Sequence, residues 1–306
     1  MRTDSDGWDI VNSVGATALG VAALRAGETR RSDALFRDPY AALLVEAVGV
    51  PGWTRLVRGQ VDFETGAAPS LGPLGDMLVA RTCYFDAYFA MAVNAGIRQV
   101  VILGAGLDVR AFRLEWAMDT VLFELDQPKV LEFKASVFDE HGIFASVDRR
   151  EVAVDLRRGF SNELRDSGFD PTQPTAWLAE GLLRYVPAGA QNRMFIAIAE
   201  LSAPGSQVAL TLEADPAQDG EHNEEMRDRM LAELGISLDM GSLLYPNEGR
   251  SDPVDWFRSR GWTGIRTDPS TVLSSRGRKV PPAVADQLRK NILMTATKPG
   301  EGVSRR

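Results

Sequence analysis

The spacing of apolar residues changes near residue 97. Before this point, apolar positions recur with helical spacing and predict three helices over 8–26, 39–48 and 74–94. After it, short apolar runs alternate with helical segments, which is the pattern of a parallel sheet with crossover helices. The predicted strands are 99–103, 120–125, 151–154, 175–179, 207–212 and the closing strand 292–297.

Proline marks the starts of helices in this alternating region. Pro128 and Pro187 each open an amphipathic segment, at a position that proline favours in the first helical turn. The pair Asp252-Pro253 opens a further helix in the same way. Together with the strands, these helices predict a doubly wound α/β fold.

The same pattern sets the predicted domain boundaries. Residues 1–96 are predicted to form a helical cap within one domain, 97–298 its core and 299–306 a disordered tail. The acidic, methionine-rich stretch 214–250 interrupts the alternation. An insertion of this length is either a lid over a pocket or a solvated surface excursion.

Composition narrows the classes of function. The 306-residue chain carries a formal net charge of −8, which argues against nucleic acid as the main partner because phosphate binding requires a basic patch. One cysteine and two histidines nearly exclude a zinc site, and neither histidine lies near a nucleophile motif. The lone cysteine and the lack of an apolar run of about 18 residues predict a cytoplasmic protein without a membrane span.

A glycine turn follows the first predicted strand, at the edge of the sheet where doubly wound folds bind ligands. In Gly104-Ala105-Gly106, glycine allows close approach of the backbone to a ligand, although a tight strand-to-helix turn explains the same residues. Val109 stands where a dinucleotide fingerprint has its third glycine, which weakens the case for pyrophosphate binding.

Acidic residues end the second predicted strand. Asp126 follows Gly104 by 22 positions, a spacing at which a carboxylate accepts hydrogen bonds from ribose hydroxyls. Gln127 adjoins Asp126, and the alternation of a strand places Glu124 on the same face. The alternative is that these carboxylates sit at a helix start because the macrodipole favours them there.

Further candidates follow the third and fourth predicted strands. Asp155 and Leu156 together offer an acceptor for an exocyclic amine and an apolar surface for an adenine ring. Glu180 ends the fourth strand on the same edge, where it can contact a ligand or line a substrate site. Arg184 and Tyr185 are candidate substrate-pocket residues, with a plain wall position as the alternative for Tyr185.

Arg81 lies on an otherwise apolar face of the third predicted helix. A buried charge needs a partner, so Arg81 either binds the carboxylate of an amino-acid-like ligand or pairs with an acidic residue such as Asp108. The same two interpretations apply to Arg110.

Taken in order, these motifs resemble the leucine carboxyl methyltransferase family, and within it a branch of bacterial S-adenosylmethionine-dependent methyltransferases. The segments that carry the resemblance are WDIVNSVGATALGVAALRA (8–26), RTCYFDAYF (81–89), VVILGAGLDVRAFRL (100–114), FELDQPKVLEFK (123–134), VDLR (154–157) and AEGLLRYVP (179–187). The resemblance therefore spans nearly the whole chain.

The resemblance implies the class I methyltransferase fold, a Rossmann-like sheet of seven strands with the last one inserted antiparallel. It also implies S-adenosyl-L-methionine as the cofactor. The implied contacts are Arg81 on the cofactor carboxylate, Gly104, Ala105 and Gly106 beneath the methionine part, Asp126 at the ribose, Asp155 and Leu156 around the adenine, and Glu180 near the amino group. Gln127 is a further predicted cofactor-binding residue.

Methyl transfer from a sulfonium mainly requires positioning, and a carboxylate acceptor is already ionised and needs no general base. The resemblance therefore implies O-methylation of a small-molecule or peptide carboxylate. Two alternatives share part of the motif set: a cofactor-binding sensor or scaffold without turnover, and an NAD-dependent oxidoreductase. The missing third glycine and the antiparallel-looking closing strand count against the oxidoreductase.

Overall fold

The computed structural model describes residues 14–60, 72–212, 231–232, 234–236 and 243–300. The helices in these ranges are α1 (Val14–Arg30), α2 (Ala41–Ala47), α3 (Pro51–Val57), α4 (Gly72–Asn94), α5 (Arg110–Arg113), α6 (Pro128–Glu140), α7 (Ser161–Asp166), α8 (Ala188–Leu201), α9 (Pro253–Arg258), α10 (Pro269–Ser275) and α11 (Pro282–Leu288). None of them combines the length and the apolar character that crossing a membrane requires.

Seven strands form one mixed sheet in the order β3-β2-β1-β4-β5-β7-β6. The strands are β1 (Gln99–Leu103), β2 (Val121–Asp126), β3 (Asp148–Ala153), β4 (Thr175–Ala179), β5 (Gln207–Leu212), β6 (Thr263–Thr267) and β7 (Ile292–Thr297). β1 to β5 pair in parallel, whereas β7 runs antiparallel to both β5 and β6. The strand order reverses between β1 and β4, and open α/β sheets bind ligands at such a switch point.

Helices cover both faces of the sheet. Trp177 and the other inward residues of one face pack against α7, α8 and α9. On the opposite face, the sheet packs against α4, through residues such as Phe85 and Phe89, and against α10 and α11. Because both faces are covered, β1 and β4 are buried along their whole length, which explains their continuous apolar sequences.

The first three helices form a third apolar cluster with α6. Leu19 of α1, Leu44 of α2 and Trp53 of α3 meet Val137 and Phe138 of α6 in this cluster. These contacts fasten the N-terminal helices to the core next to the carboxyl ends of the strands.

The division into cap, core and tail stays a prediction, and residues 1–13, 213–230 and 301–306 lie outside the described part.

Element boundaries follow the sequence prediction closely, with some exceptions. The predicted strands 99–103, 175–179, 207–212 and 292–297 have the observed bounds, while β2 starts one residue later and β3 three residues earlier than predicted. The predicted end of the first helix at residue 26, just before Gly27, is wrong, since α1 continues to Arg30. A glycine inside a helix costs only about 1 kcal/mol, and Arg278 holds the next residue, Glu28, in an ion pair at 2.8 Å.

Glu124 takes a structural position rather than a place in a ligand site. Its carboxylate pairs with Lys134 of α6 at 2.7 Å, and neither side chain is exposed. Arg149 of β3 donates to the same oxygen at 2.8 Å. Lys134 also donates to the carbonyl oxygen of Asp108 at 2.9 Å, so one ammonium group joins α6, β2 and the turn after β1.

We expect Lys134→Ala to lower the free energy of unfolding by about 2 kcal/mol, because Glu124 keeps only Arg149 as a cationic partner and the buried carbonyl of Asp108 loses a donor. Lys129→Ala on the same helix is the matched control, since Lys129 is exposed, and it should change stability by less than about 0.5 kcal/mol. Urea unfolding of both variants measures the difference. Equal stability of the two would contradict a structural role for Lys134.

Candidate functional site

A cleft opens at the carboxyl ends of β1 to β4, where the strand order reverses. All nine residues predicted to bind a cofactor line it: Arg81, Gly104, Ala105, Gly106, Asp126, Gln127, Asp155, Leu156 and Glu180. The fold thus brings together side chains as far apart in sequence as Arg81 and Glu180, which are separated by 99 positions. Their roles toward a ligand remain a prediction.

The floor of the cleft is the glycine turn after β1. Gly104 and Gly106 have φ angles of +67° and +48°, in the left-handed region that favours glycine. A Cβ atom at Gly104 would lie 2.9 Å from Leu182 Cδ1. The N–H groups of Gly104 and Ala105 donate to the carbonyl of Leu125 at 2.9 and 3.1 Å. The turn is therefore held against the end of β2, and Gly104 is required by both conformation and space.

Asp126 is held at the end of β2 by backbone donors. One carboxylate oxygen accepts the N–H of Gly106 at 2.6 Å and the other accepts the N–H of Gln127 at 2.7 Å. Burial raises the pKa of the Asp126 carboxyl, and the two backbone hydrogen bonds act in the opposite direction. A carboxylate oxygen has two lone pairs, so each retains one for a ligand hydroxyl.

Glu180 joins two arginines at the side of the cleft. Arg81 Nε donates to one carboxylate oxygen at 2.8 Å, and Arg110 Nη1 donates to the other at 2.6 Å. Burial opposes ionisation of Glu180, but Arg110, Arg81 and Arg25 outweigh it and lower its pKa to about 2. Arg81 therefore pairs with an acidic residue, as one of the two sequence-based interpretations has it, but the partner is Glu180 rather than the example Asp108, which bonds to Arg110.

Arg110 is a structural residue. Its side chain is completely buried, and Nε donates to Asp86 of α4 at 2.8 Å. Arg113 donates to both oxygens of the same Asp86, at 2.8 and 2.7 Å. The charged residues of the RTCYFD and LDVRAFR segments therefore form one buried network beneath the cleft, which includes both Asp108 and Glu180.

Asp155 makes a second ion pair on the opposite side of the cleft. Arg157 donates through Nε at 2.9 Å and through Nη2 at 2.8 Å, each to a different oxygen of the carboxylate. Burial raises the pKa of Asp155, but the hydrogen bonds from Arg157 outweigh this effect and lower it. Arg157 also lines the cleft and was not among the predicted site residues.

Helix α1 covers part of the cleft. Its lining residues are Gly15, Thr17, Ala18, Val21 and Arg25. Arg25 Nη2 donates to the carbonyl of Leu107 at 2.8 Å, and Nε lies 3.3 Å from the carboxylate of Asp38. Most of these residues are small or apolar, so the sequence offered no chemical signal except the charge of Arg25 in an alanine-rich helix.

The two candidate substrate residues lie in different environments. Tyr185 lines the cleft, whereas Arg184 is buried behind the lining. Arg250 donates to the carbonyl of Val186 at 2.6 Å, which fastens residues 243–250 to this wall. These residues belong to the predicted insertion 214–250, whose role as a lid stays a prediction because most of it lies outside the described residues.

A solved structure of low sequence identity shares this architecture. It is the crystal structure of a provisionally named methyltransferase from Thermobifida fusca, with a TM-score of 0.53 and 16% identity. The comparison covers 95% of this chain and 96% of that one. Together with the strand order and the antiparallel β7, it confirms the predicted class I fold.

Sequence comparisons identify the family. A protein of Mycobacteroides abscessus, provisionally named an S-adenosyl-L-methionine-dependent methyltransferase, is 46% identical over 292 residues, or 92% of this chain and 94% of its own length. A protein of Rhodococcus jostii with the same description is 46% identical over 307 residues, or 97% of this chain and 100% of its own. The family model described as leucine carboxyl methyltransferase matches residues 18–199. The chain belongs to the leucine carboxyl methyltransferase family.

Proposed function

We propose that this protein transfers the methyl group of S-adenosyl-L-methionine to a carboxylate oxygen of a small molecule or peptide. The observation that carries the proposal is the convergence of all nine predicted cofactor residues on one cleft at the switch point of the sheet. Membership of the leucine carboxyl methyltransferase family and the descriptions of its relatives support the same donor.

The side chains of the cleft match the chemistry of the cofactor. Asp126 offers acceptor oxygens for a ribose diol, and Asp155 offers one for an exocyclic amine beside apolar Leu156. Arg81 is the cationic group for the methionine carboxylate. Glu180 stays ionised because its pKa is about 2, so it complements an ammonium group.

The carboxylates of the described lining are suited to positioning rather than proton transfer. In the described lining, Asp126 accepts backbone N–H groups, Asp155 accepts Arg157, and Asp108 and Glu180 accept Arg110. The described lining also contains no histidine. Bound S-adenosyl-L-methionine supplies an activated methyl group, and an ionised acceptor needs no base. This set of groups therefore favours a carboxylate acceptor.

Cofactor binding tests the donor side of the proposal. Calorimetric titration with S-adenosyl-L-methionine, S-adenosylhomocysteine and NAD should show binding of the first two and none of NAD. Binding of NAD alone would identify an oxidoreductase-like site and overturn the proposal. Binding of the first two shows the cofactor class but leaves turnover to be measured separately.

The acceptor side is tested by transfer of a radiolabelled methyl group to panels of carboxylates, hydroxyls and amines. A carboxyl methyl ester is hydrolysed by mild alkali and releases volatile methanol, whereas methyl ethers and methylamines keep the label. We expect alkali-labile product from the carboxylate panel. Stable label would contradict a carboxylate acceptor, and cofactor binding without any labelled product would favour a sensor or scaffold.

Asp126→Asn should weaken the affinity for S-adenosylhomocysteine by about tenfold or more, because hydrogen bonds to a charged acceptor are worth about 1.5–3 kcal/mol. The amide oxygen of asparagine can still accept one of the two backbone N–H groups, and thermal unfolding of the variant checks that the fold persists. The control is Asp119→Asn, since the Asp119 side chain is 74% exposed. Calorimetry that finds both variants at wild-type affinity would show that Asp126 does not contact the ligand.

The variants Gly104→Ala and Gly142→Ala distinguish the effect of backbone strain on stability from an effect on ligand binding in the cleft. Both glycines are left-handed, with φ of +67° and +64°. A Cβ at Gly142 meets nothing within 4 Å, whereas one at Gly104 meets Leu182 at 2.9 Å.

We expect each alanine to lower the unfolding free energy by about 1–2 kcal/mol from strain alone. Only Gly104→Ala should also abolish measurable binding of S-adenosylhomocysteine, since its Cβ intrudes where the backbone must approach a ligand. Thermal unfolding and calorimetry of the purified variants provide the two readouts. Full binding by Gly104→Ala would refute close approach at this turn.

A further inference from the structure

We propose that Arg157 is a positioning residue for nucleobase recognition, which holds the Asp155 carboxylate ready to accept a hydrogen bond from the amino group of adenine. The inference rests on the proposed function, because it concerns how the same cleft selects the base of its cofactor. It adds a residue whose contact is with Asp155 and not with the cofactor.

The contacts between the two residues fix both the position and the plane of the carboxylate. Arg157 Nε and Nη2 each donate to a separate oxygen of Asp155, at 2.9 and 2.8 Å. The backbone N–H of Arg157 donates to one of these oxygens as well, at 3.0 Å. A planar guanidinium that binds two oxygens in parallel imposes its own plane on the carboxylate.

Arg157 is itself anchored from the other direction. Arg193 of α8 donates to its carbonyl oxygen at 2.8 Å. The side chains of Arg157 and Asp155 are only 16% and 19% exposed, and both line the cleft. A pair that is largely shielded from water and tied to the backbone keeps its geometry when the cleft is empty.

An ionised carboxylate can accept hydrogen bonds but cannot donate them. Adenine presents an amino group at position 6, whereas hypoxanthine presents a carbonyl oxygen there. Asp155 therefore attracts the first base and repels the second as long as it stays ionised and aimed at the ring edge. Arg157 provides both conditions, because burial raises the pKa of Asp155 and the hydrogen bonds from Arg157 outweigh this effect.

Arg158 provides a matched comparison within the same loop. It carries the same charge, but its Nε lies 3.8 Å from the Asp155 carboxylate and its side chain is 80% exposed. Loss of Arg158 removes one nearby positive charge and leaves the two-point contact of Arg157 intact. A comparison of Arg157 and Arg158 variants therefore separates the effect of a nearby positive charge from the effect of orienting the Asp155 carboxylate.

The experiment is calorimetric titration of the full chain with S-adenosylhomocysteine and with S-inosylhomocysteine, its deaminated analogue. The wild-type protein and Arg158→Ala should prefer the adenosine compound by about ten- to hundredfold. Arg157→Ala should reduce the preference to within about threefold, and Arg157→Lys should give an intermediate value because lysine keeps the charge but has no fork. Asp155→Asn calibrates the assay, since an amide can donate to the carbonyl of hypoxanthine.

An unchanged ratio of the two affinities in Arg157→Ala would overturn the inference, even if both affinities fell together, since a parallel fall indicates a structural role. Should Arg157→Ala fail to fold, Arg157→Lys decides by the same ratio. Wild-type protein that binds neither compound would refute the proposed function itself, and the inference with it. Wild-type binding with a ratio insensitive to Arg157 would refute the inference alone.

Discussion

The guanidinium of Arg110 is completely buried beneath the cleft, and such a charge is tolerable only with partners that replace its hydration. It has three carboxylate partners, which come from α4, from the turn after β1 and from the end of β4: Asp86, Asp108 and Glu180. None of these elements can shift along its neighbour without separating an ion pair in a dry environment. The relative positions of the helix that carries Arg81 and of the strand ends that form the cleft therefore depend on this one group.

The same network determines the charge of the ligand-facing groups. Glu180 is shared, with one oxygen on Arg110 and the other on Arg81. Because Arg110, Arg81 and Arg25 together hold Glu180 ionised against the cost of burial, the ionised state of that carboxylate does not depend on a ligand. Arg81 is in turn oriented by the hydrogen bond from its Nε to Glu180 at 2.8 Å. One carboxylate thus joins the buried network to the lining of the cleft.

The sequence predicted the parts of the site that follow from strand geometry. In a β-α-β unit the separation between consecutive strand ends varies little, so the spacing of Gly104 and Asp126 was informative by itself. The partner of Arg81 was not predictable in this way, because choosing Glu180 over Asp108 requires knowing that β4 lies beside β1. The contribution of α1 to the cleft lining was also not predictable from the sequence, because small apolar residues such as Ala18 and Val21 fit both a buried core and a cleft wall. β6 was missed because most of its short sequence is exposed and it contains Gly264.

The ion-pair network and the outer wall of the cleft come from different regions of the chain. The ion-pair network uses residues between 81 and 180, whereas the wall is built from α1 and from the turn around Tyr185, to which Arg250 fastens the segment 243–250. Substitutions in the wall leave the three carboxylate partners of Arg110 in place, so the shape of the wall can change without separating those ion pairs. Because methyl transfer from a sulfonium mainly requires positioning, a wall that is separate from the ion-pair network lets the fit of an acceptor change while the network stays intact.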